Sequence, residues 1–319
     1  MKFKHSFHVF VDNFSVTYKH LLYRLVVLII ATGLYIAVLH PFINGVVDSA
    51  QFNGLIDAVK SFLKNFINGR QPALEDAVNK IQESFAAVLD LIASKKTSMI
   101  WGAIGVFIIF LVQKFFSGLG NYATAAVVND KMALRAKSPF ILTLVRNLRE
   151  ASLYSLMYTP LSVVYDLIFF VGLFFLVFKA LFFIHLPLQL FLYVTLMVMA
   201  ISFKLVLTSD WLPSLIRGKT GAKKAFVYTF NRKNKNTFNI FSNFIVLVMI
   251  IFAVNVMGVV FTFGAAALLT VPSSYVILVC FEFVNYYDRE ELKYFLDKNT
   301  IIKPEKEKTP TREEFFRGE

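Results

Sequence analysis

Apolar residues in this chain come in long unbroken blocks set between shorter polar stretches, not in the alternation of a half-buried strand. A bilayer-spanning helix needs about 20 consecutive apolar residues. About six blocks approach or exceed that length, at 21–43, 98–116, 160–183, 188–208, 238–261 and 265–286. The pattern predicts an all-α polytopic membrane protein.

The polar connections have a periodicity of their own. Phe3, Phe7, Phe10 and Phe14 recur at helical spacing among Lys2, Lys4 and His8, which predicts an interfacial helix over 1–20. The one long insert, 44–97, holds two apolar stripes. Phe52, Ile56, Val59 and Leu63 mark the first; Leu74, Val78, Ile81 and Phe85 mark the second. Asn68 to Pro72 breaks the pattern between them, so 49–93 reads as an amphipathic αα-hairpin. Residues 117–159 form a polar, basic segment. In it Ser138 and Pro139 read as the cap and first turn of an interfacial helix leading to span 3. Residues 209–237 make a basic loop. The segment 287–319 is a densely charged tail, expected to lack structure at its end.

Composition narrows this further. The chain is 57% hydrophobic, has 36 phenylalanines and is only 17% charged, against about 25% in soluble domains. That excludes an ordinary soluble protein. The net charge of +12 sits beside the apolar blocks. Without any recognisable nucleic-acid module, a basic balance is not evidence for DNA or RNA. Anionic lipid headgroups fit better, at about 1 kcal/mol per nearby Lys or Arg.

Charge also sets orientation. Residues 209–237 carry seven Lys or Arg and one acid, and residues 117–155 carry five and two, while the 44–96 insert balances six against six. The positive-inside rule then puts both termini in the cytoplasm of a multi-pass plasma-membrane protein, with the hairpin outside. The first block lacks a small-residue cleavage site, since Asp48 falls where one is needed, and is read as an uncleaved span.

Candidate chemistry lies inside the blocks. A carboxylate in hydrocarbon costs about 2.5–3.5 kcal/mol on insertion scales and faces protein or water. Asp166 lies 19 residues before His185 and Lys204 lies 19 after it. Antiparallel spans joined there place both at one level. Glu282, six residues before Asp288, falls in the same layer on the cytoplasmic side. Asn255 in span 5 and Pro272 in span 6 add polar and backbone groups nearby. The layer reads as a substrate or ion site. The competing reading is a salt bridge that fastens spans 3 and 4, a snorkelling Lys204 and a border Glu282.

Other chemistry is thin. His5 and His8 share a helix face without the acids or thiols that complete a metal set, and His40 and His185 are border residues. Phosphate-loop, dinucleotide, GxSxG and HExxH patterns are absent. No cofactor is expected, and an enzyme is the third reading. Cys280, the single cysteine, is expected as a buried thiol.

Lys204 to Asp288 carries a span, a basic loop with Lys224, Ala225 and Phe226, and two further spans with Pro272 in the second and Tyr287 after it. In this arrangement it resembles uncharacterised bacterial multi-span proteins related to the membrane domain of glycerophosphodiester phosphodiesterases. The likeness covers about a quarter of the chain, has no counterpart of the catalytic domain, and implies no functional residue. The expected role is transport or handling of a small or lipid-like substrate. The alternative is a structural or regulatory membrane component that binds a protein partner through 49–93.

Overall fold

The structure is a computed structural model that describes residues 2–68, 71–181, 183, 185–218, 221–231, 237–297 and 299–303. Six helices among them are long and apolar enough to cross a membrane: Phe14–Val47, Ile100–Leu134, Leu148–Ala180, Pro187–Ile216, Phe238–Thr262 and Ala267–Arg289. A helix satisfies its own backbone polar groups, which is what a span in lipid requires. The protein is an all-α, multi-pass membrane protein.

The chain divides into two compact units, residues 26–114 and residues 1–25 with 115–319. In the first, α3 (Ala50–Ile67) and α4 (Gln71–Ser94) pack on each other as the predicted hairpin. Ser49 caps α3 by accepting the Phe52 amide at 3.2 Å. Lys95 Nζ donates to the Gly45 carbonyl at 2.7 Å and ties the base of the hairpin. Within the same unit, Tyr35 donates to Gln113 Oε1 at 3.1 Å, linking the helices that carry spans 1 and 2.

The second unit departs from the sequence reading in its connections. Helix α1 (Lys2–Asp12) is followed after Asn13 by α2 (Phe14–Val47). It does not rest on the surface alone. Val9 is fully buried and Phe3 stacks on Phe281, 5.3 Å between centroids. The segment from 117, read as a polar, basic stretch after span 2, continues α5 (Lys96–Leu134). Its residues are small, and that is why it can be both polar and buried. A Cβ on Gly118 would collide with Ser155, and one on Gly120 with Tyr23. The glycines therefore let α2 and α7 (Leu148–Asp166) approach α5 closely. Ala123, Thr124 and Ala125 are fully buried in the same stretch.

Ser138 does not cap a helix. Its hydroxyl donates to Asp130, and Pro139 precedes the short α6 (Phe140–Arg146) without a side-chain cap. After Asp166 the backbone widens into π turns at Leu167–Val171 and Leu176–Ala180, around α8 (Gly172–Phe175). Helices α9 (Leu186–Thr208), α10 (Trp211–Ile216) and α11 (Ala222–Asn231) follow. In α11, Ala225 is fully buried and Phe226 packs on Trp211 at 4.8 Å. Helices α12 (Thr237–Thr262) and α13 (Ala267–Arg289) complete the spans. The turn between them uses Gly264 at φ +92°, a conformation that favours glycine.

The start of the tail is ordered. β1 (Tyr294–Phe295) pairs antiparallel with β2 (Ile301–Ile302). Asp297 Oδ1 accepts the amides of Asn299 and Thr300 at 2.8 and 2.9 Å, and the Asn299 bond first of all holds its carboxyl below the usual range. Tyr294 links this hairpin to α1 and α13. Its hydroxyl donates to Asp288 at 2.9 Å and meets His5 Nδ1 at 3.1 Å. Burial pushes the Tyr294 hydroxyl up and the His5 imidazole down from their ordinary values. Residues 304–319 of the expected unstructured tail lie outside the described residues, as do 219–220 and 232–236 of the basic loop.

Candidate functional site

Spans 3 and 4 bring Asp166 and Lys204 into direct contact. Lys204 Nζ lies 2.5 Å from Asp166 Oδ1 and donates to Ser162 Oγ at 2.7 Å. Ser162, one turn before Asp166 on α7, donates to Asp166 Oδ2 at 3.4 Å. The ammonium also lies 5.7 Å from the Tyr165 ring centroid, and Tyr165 donates to the Ala200 carbonyl at 2.7 Å. The side chains are 17% and 26% exposed. Each charge therefore has the other, and the pair fastens α7 to α9.

Glu282 does not join this pair. It lies on α13 and is only 8% exposed. No hydrogen bond or ion pair to it exists among the described residues. Tyr154 and Tyr158 of α7 and Tyr275 of α13 lie within its electrostatic reach. Tyr275 precedes it by seven residues, which places both on one face of α13.

Asp210, a like charge near Glu282, is bound by Arg289 at 2.7 Å. Arg289 and Asp210 are 14% and 12% exposed at their side chains. This second inner ion pair joins the start of α10 to the end of α13.

Asn255 sits in another cluster. Its Nδ2 donates to the Ile251 carbonyl and to Ser274 Oγ, both at 2.8 Å, and its Oδ1 accepts from Thr270 at 2.8 Å. Ser274 in turn donates to the Thr270 carbonyl at 2.6 Å. These bonds bracket Pro272 and lace α12 to α13. With both ends of its amide engaged, Asn255 acts as a fastener there.

The sequence reading missed two groups of span 1. His20 is 2% exposed and stacks on Tyr275, 4.7 Å between centroids. Its Nδ1 meets Thr124 Oγ1 at 2.8 Å, and Thr124 donates onward to the Gly120 carbonyl at 2.9 Å. Thr124 must then accept, so Nδ1 carries the hydrogen and Nε2 is free to accept. Arg24 donates to that Nε2 at 3.3 Å and to Asn121 Oδ1 at 2.9 Å. No carboxylate pairs with Arg24 among the described residues. The available signal was the i, i+4 spacing of His20 and Arg24, which puts two polar groups on one face at the head of a span.

The polar layer thus has three parts: a satisfied Asp166–Lys204 pair, a Glu282 carboxyl within electrostatic reach of three tyrosines, and an Arg24 guanidinium held by neutral groups. Lone hydroxyls, a carboxyl and a guanidinium can grip the polar portion of a small or amphiphilic molecule and can pass protons. Compared with known proteins, the chain matches no family model, no curated protein and no solved structure.

Proposed function

We propose that this protein transports or handles a small or lipid-like substrate in the plasma membrane, and that Glu282 engages the substrate's polar portion. The observation that carries the reading is that Glu282 has no hydrogen-bond or ion-pair partner among the described residues. A buried polar side chain normally finds a hydrogen-bond partner, and an ionisable one within a span marks a pathway or a site. Arg24, without a carboxylate, supplies a complementary charge, and anionic headgroups are the favoured lipid class. The basic segments orient both termini to the cytoplasm in this reading.

The test is reconstitution. Proteoliposomes are assayed for transbilayer movement of a fluorescent phosphatidylglycerol and, with an internal pH dye, for proton entry. Movement above protein-free vesicles, lost in Glu282→Gln, is expected. Absence of both fluxes in the parent, or equal flux in Glu282→Gln, contradicts the proposal.

A second reading is favoured by the hairpin. Leu63 is 52% exposed, Phe85 53% and Leu89 49%. A protein partner covering these side chains makes the chain a structural or regulatory component. Deleting 49–93 then loses a stoichiometric co-purifying protein that Glu282→Gln retains; co-purification unchanged by the deletion removes this reading.

A further inference from the structure

A cavity of about 380 Å³ opens where α1 gives way to α2 and where α5 ends. Asn13, Ser15, Lys19, Lys131, Lys137 and Ser138 supply its polar lining. The first helical residue of span 1 is Phe14 and the last of span 2 is Leu134, so the cavity sits at the shared end of two spans.

The charges around it do not cancel. Asp12 is shared by Lys131 at 3.1 Å and Arg135 at 2.8 Å, two cations on one carboxylate. Asp130 takes the Ser138 hydroxyl. Lys19 and Lys137 have no carboxylate within ion-pair distance among the described residues. A pocket edged by uncommitted ammonium groups attracts an anion.

Asn13 adds a second observation. It is 2% exposed, and its Nδ2 is spent on the Val9 carbonyl at 2.8 Å. Asn13 lines the cavity, and its Oδ1 is buried without a hydrogen-bond partner among the described residues. A buried acceptor normally finds a donor, so a ligand that donates completes the site. Lysines that ask for an oxyanion, beside an acceptor that asks for a hydroxyl, define one chemistry. Lysine binds phosphate as a point charge and needs no forked geometry.

We infer that this cavity binds a phosphate group that also presents a hydroxyl, either an anionic lipid headgroup or a soluble phosphate. The inference requires only that the spans cross a membrane and is independent of the role given to Glu282.

The test uses the full-length protein in neutral detergent. One arm measures retention of phosphatidylglycerol over phosphatidylcholine by native mass spectrometry; the other measures thermal stabilisation by inorganic phosphate. Lys19→Gln/Lys137→Gln changes two exposed side chains and leaves the packed core intact. Lys64→Gln/Lys80→Gln removes the same charge from the hairpin and reports diffuse attraction. The expected result is about tenfold weaker binding in the first double variant and none in the second. Loss confined to the phosphatidylglycerol arm assigns the site to a headgroup; loss confined to the phosphate arm assigns it to a soluble anion. Binding in neither arm, or equal loss in both double variants, overturns the inference.

Discussion

Lys204→Met lowers the unfolding free energy by about 3 kcal/mol, because it strands a carboxylate inside the membrane. Removing one partner of a buried ion pair typically costs about 3–5 kcal/mol, and the pair's partial exposure puts this site at the low end. The Ser162 hydroxyl, at 3.4 Å, is a weak replacement for the ammonium. The cost belongs to the orphaned charge, not to the attraction, since neutral replacement of both partners is often tolerated. Asp166→Asn/Lys204→Met therefore recovers most of the loss. Denaturant unfolding in detergent, read by tryptophan fluorescence, measures both; Trp211 is fully buried beside Tyr154 and reports the packed unit. A single variant as stable as the parent would mean that Asp166 finds another partner.

Glu282→Gln has the opposite profile: at least a tenfold loss of flux with little change in stability. The substitution keeps the shape and removes the ionisable group from a side chain that has no hydrogen bond to lose among the described residues. A purely structural role moves stability and leaves flux alone, so the two readouts separate the roles. Lys204→Met supplies the contrast, with stability falling first. Proteoliposome flux and the unfolding midpoint, measured on the same preparations, check the pair of expectations.

The spans were legible because length and apolarity alone define them, and the 49–93 hairpin because its two stripes keep helical period on either side of Asn68. Equal offsets from His185 predicted the shared level of Asp166 and Lys204, and the side chains meet there. Depth arithmetic carried less for Glu282. It gives a level and not an azimuth, and Glu282 makes no hydrogen bond or ion pair with Asp166 or Lys204. The stretch from Gly118 to Leu134 reads as a polar segment beyond span 2 by composition, since Gly, Thr, Asn and Asp punctuate it. Its helicity is a tertiary effect, secured by close approach at Gly118 and Gly120. Asn255 looked like a pathway residue because polarity in a span is rare, yet Thr270 and Ser274 on the next span satisfy it. The β1–β2 hairpin was hidden because its apolar residues, Tyr294, Phe295, Ile301 and Ile302, are too few to stand out among the charges.

The claim beneath all of these is that six helices cross the lipid with their basic connections on the inner side. Cys280 is the only cysteine and is fully buried, so Cys280→Ala gives a clean background for labelling. Single cysteines are introduced as Lys224→Cys in the basic loop and Lys64→Cys in the hairpin, and intact cells are treated with a membrane-impermeant maleimide. The account predicts labelling at 64, and at 224 only after the cells are opened. Labelling at 224 in intact cells contradicts it.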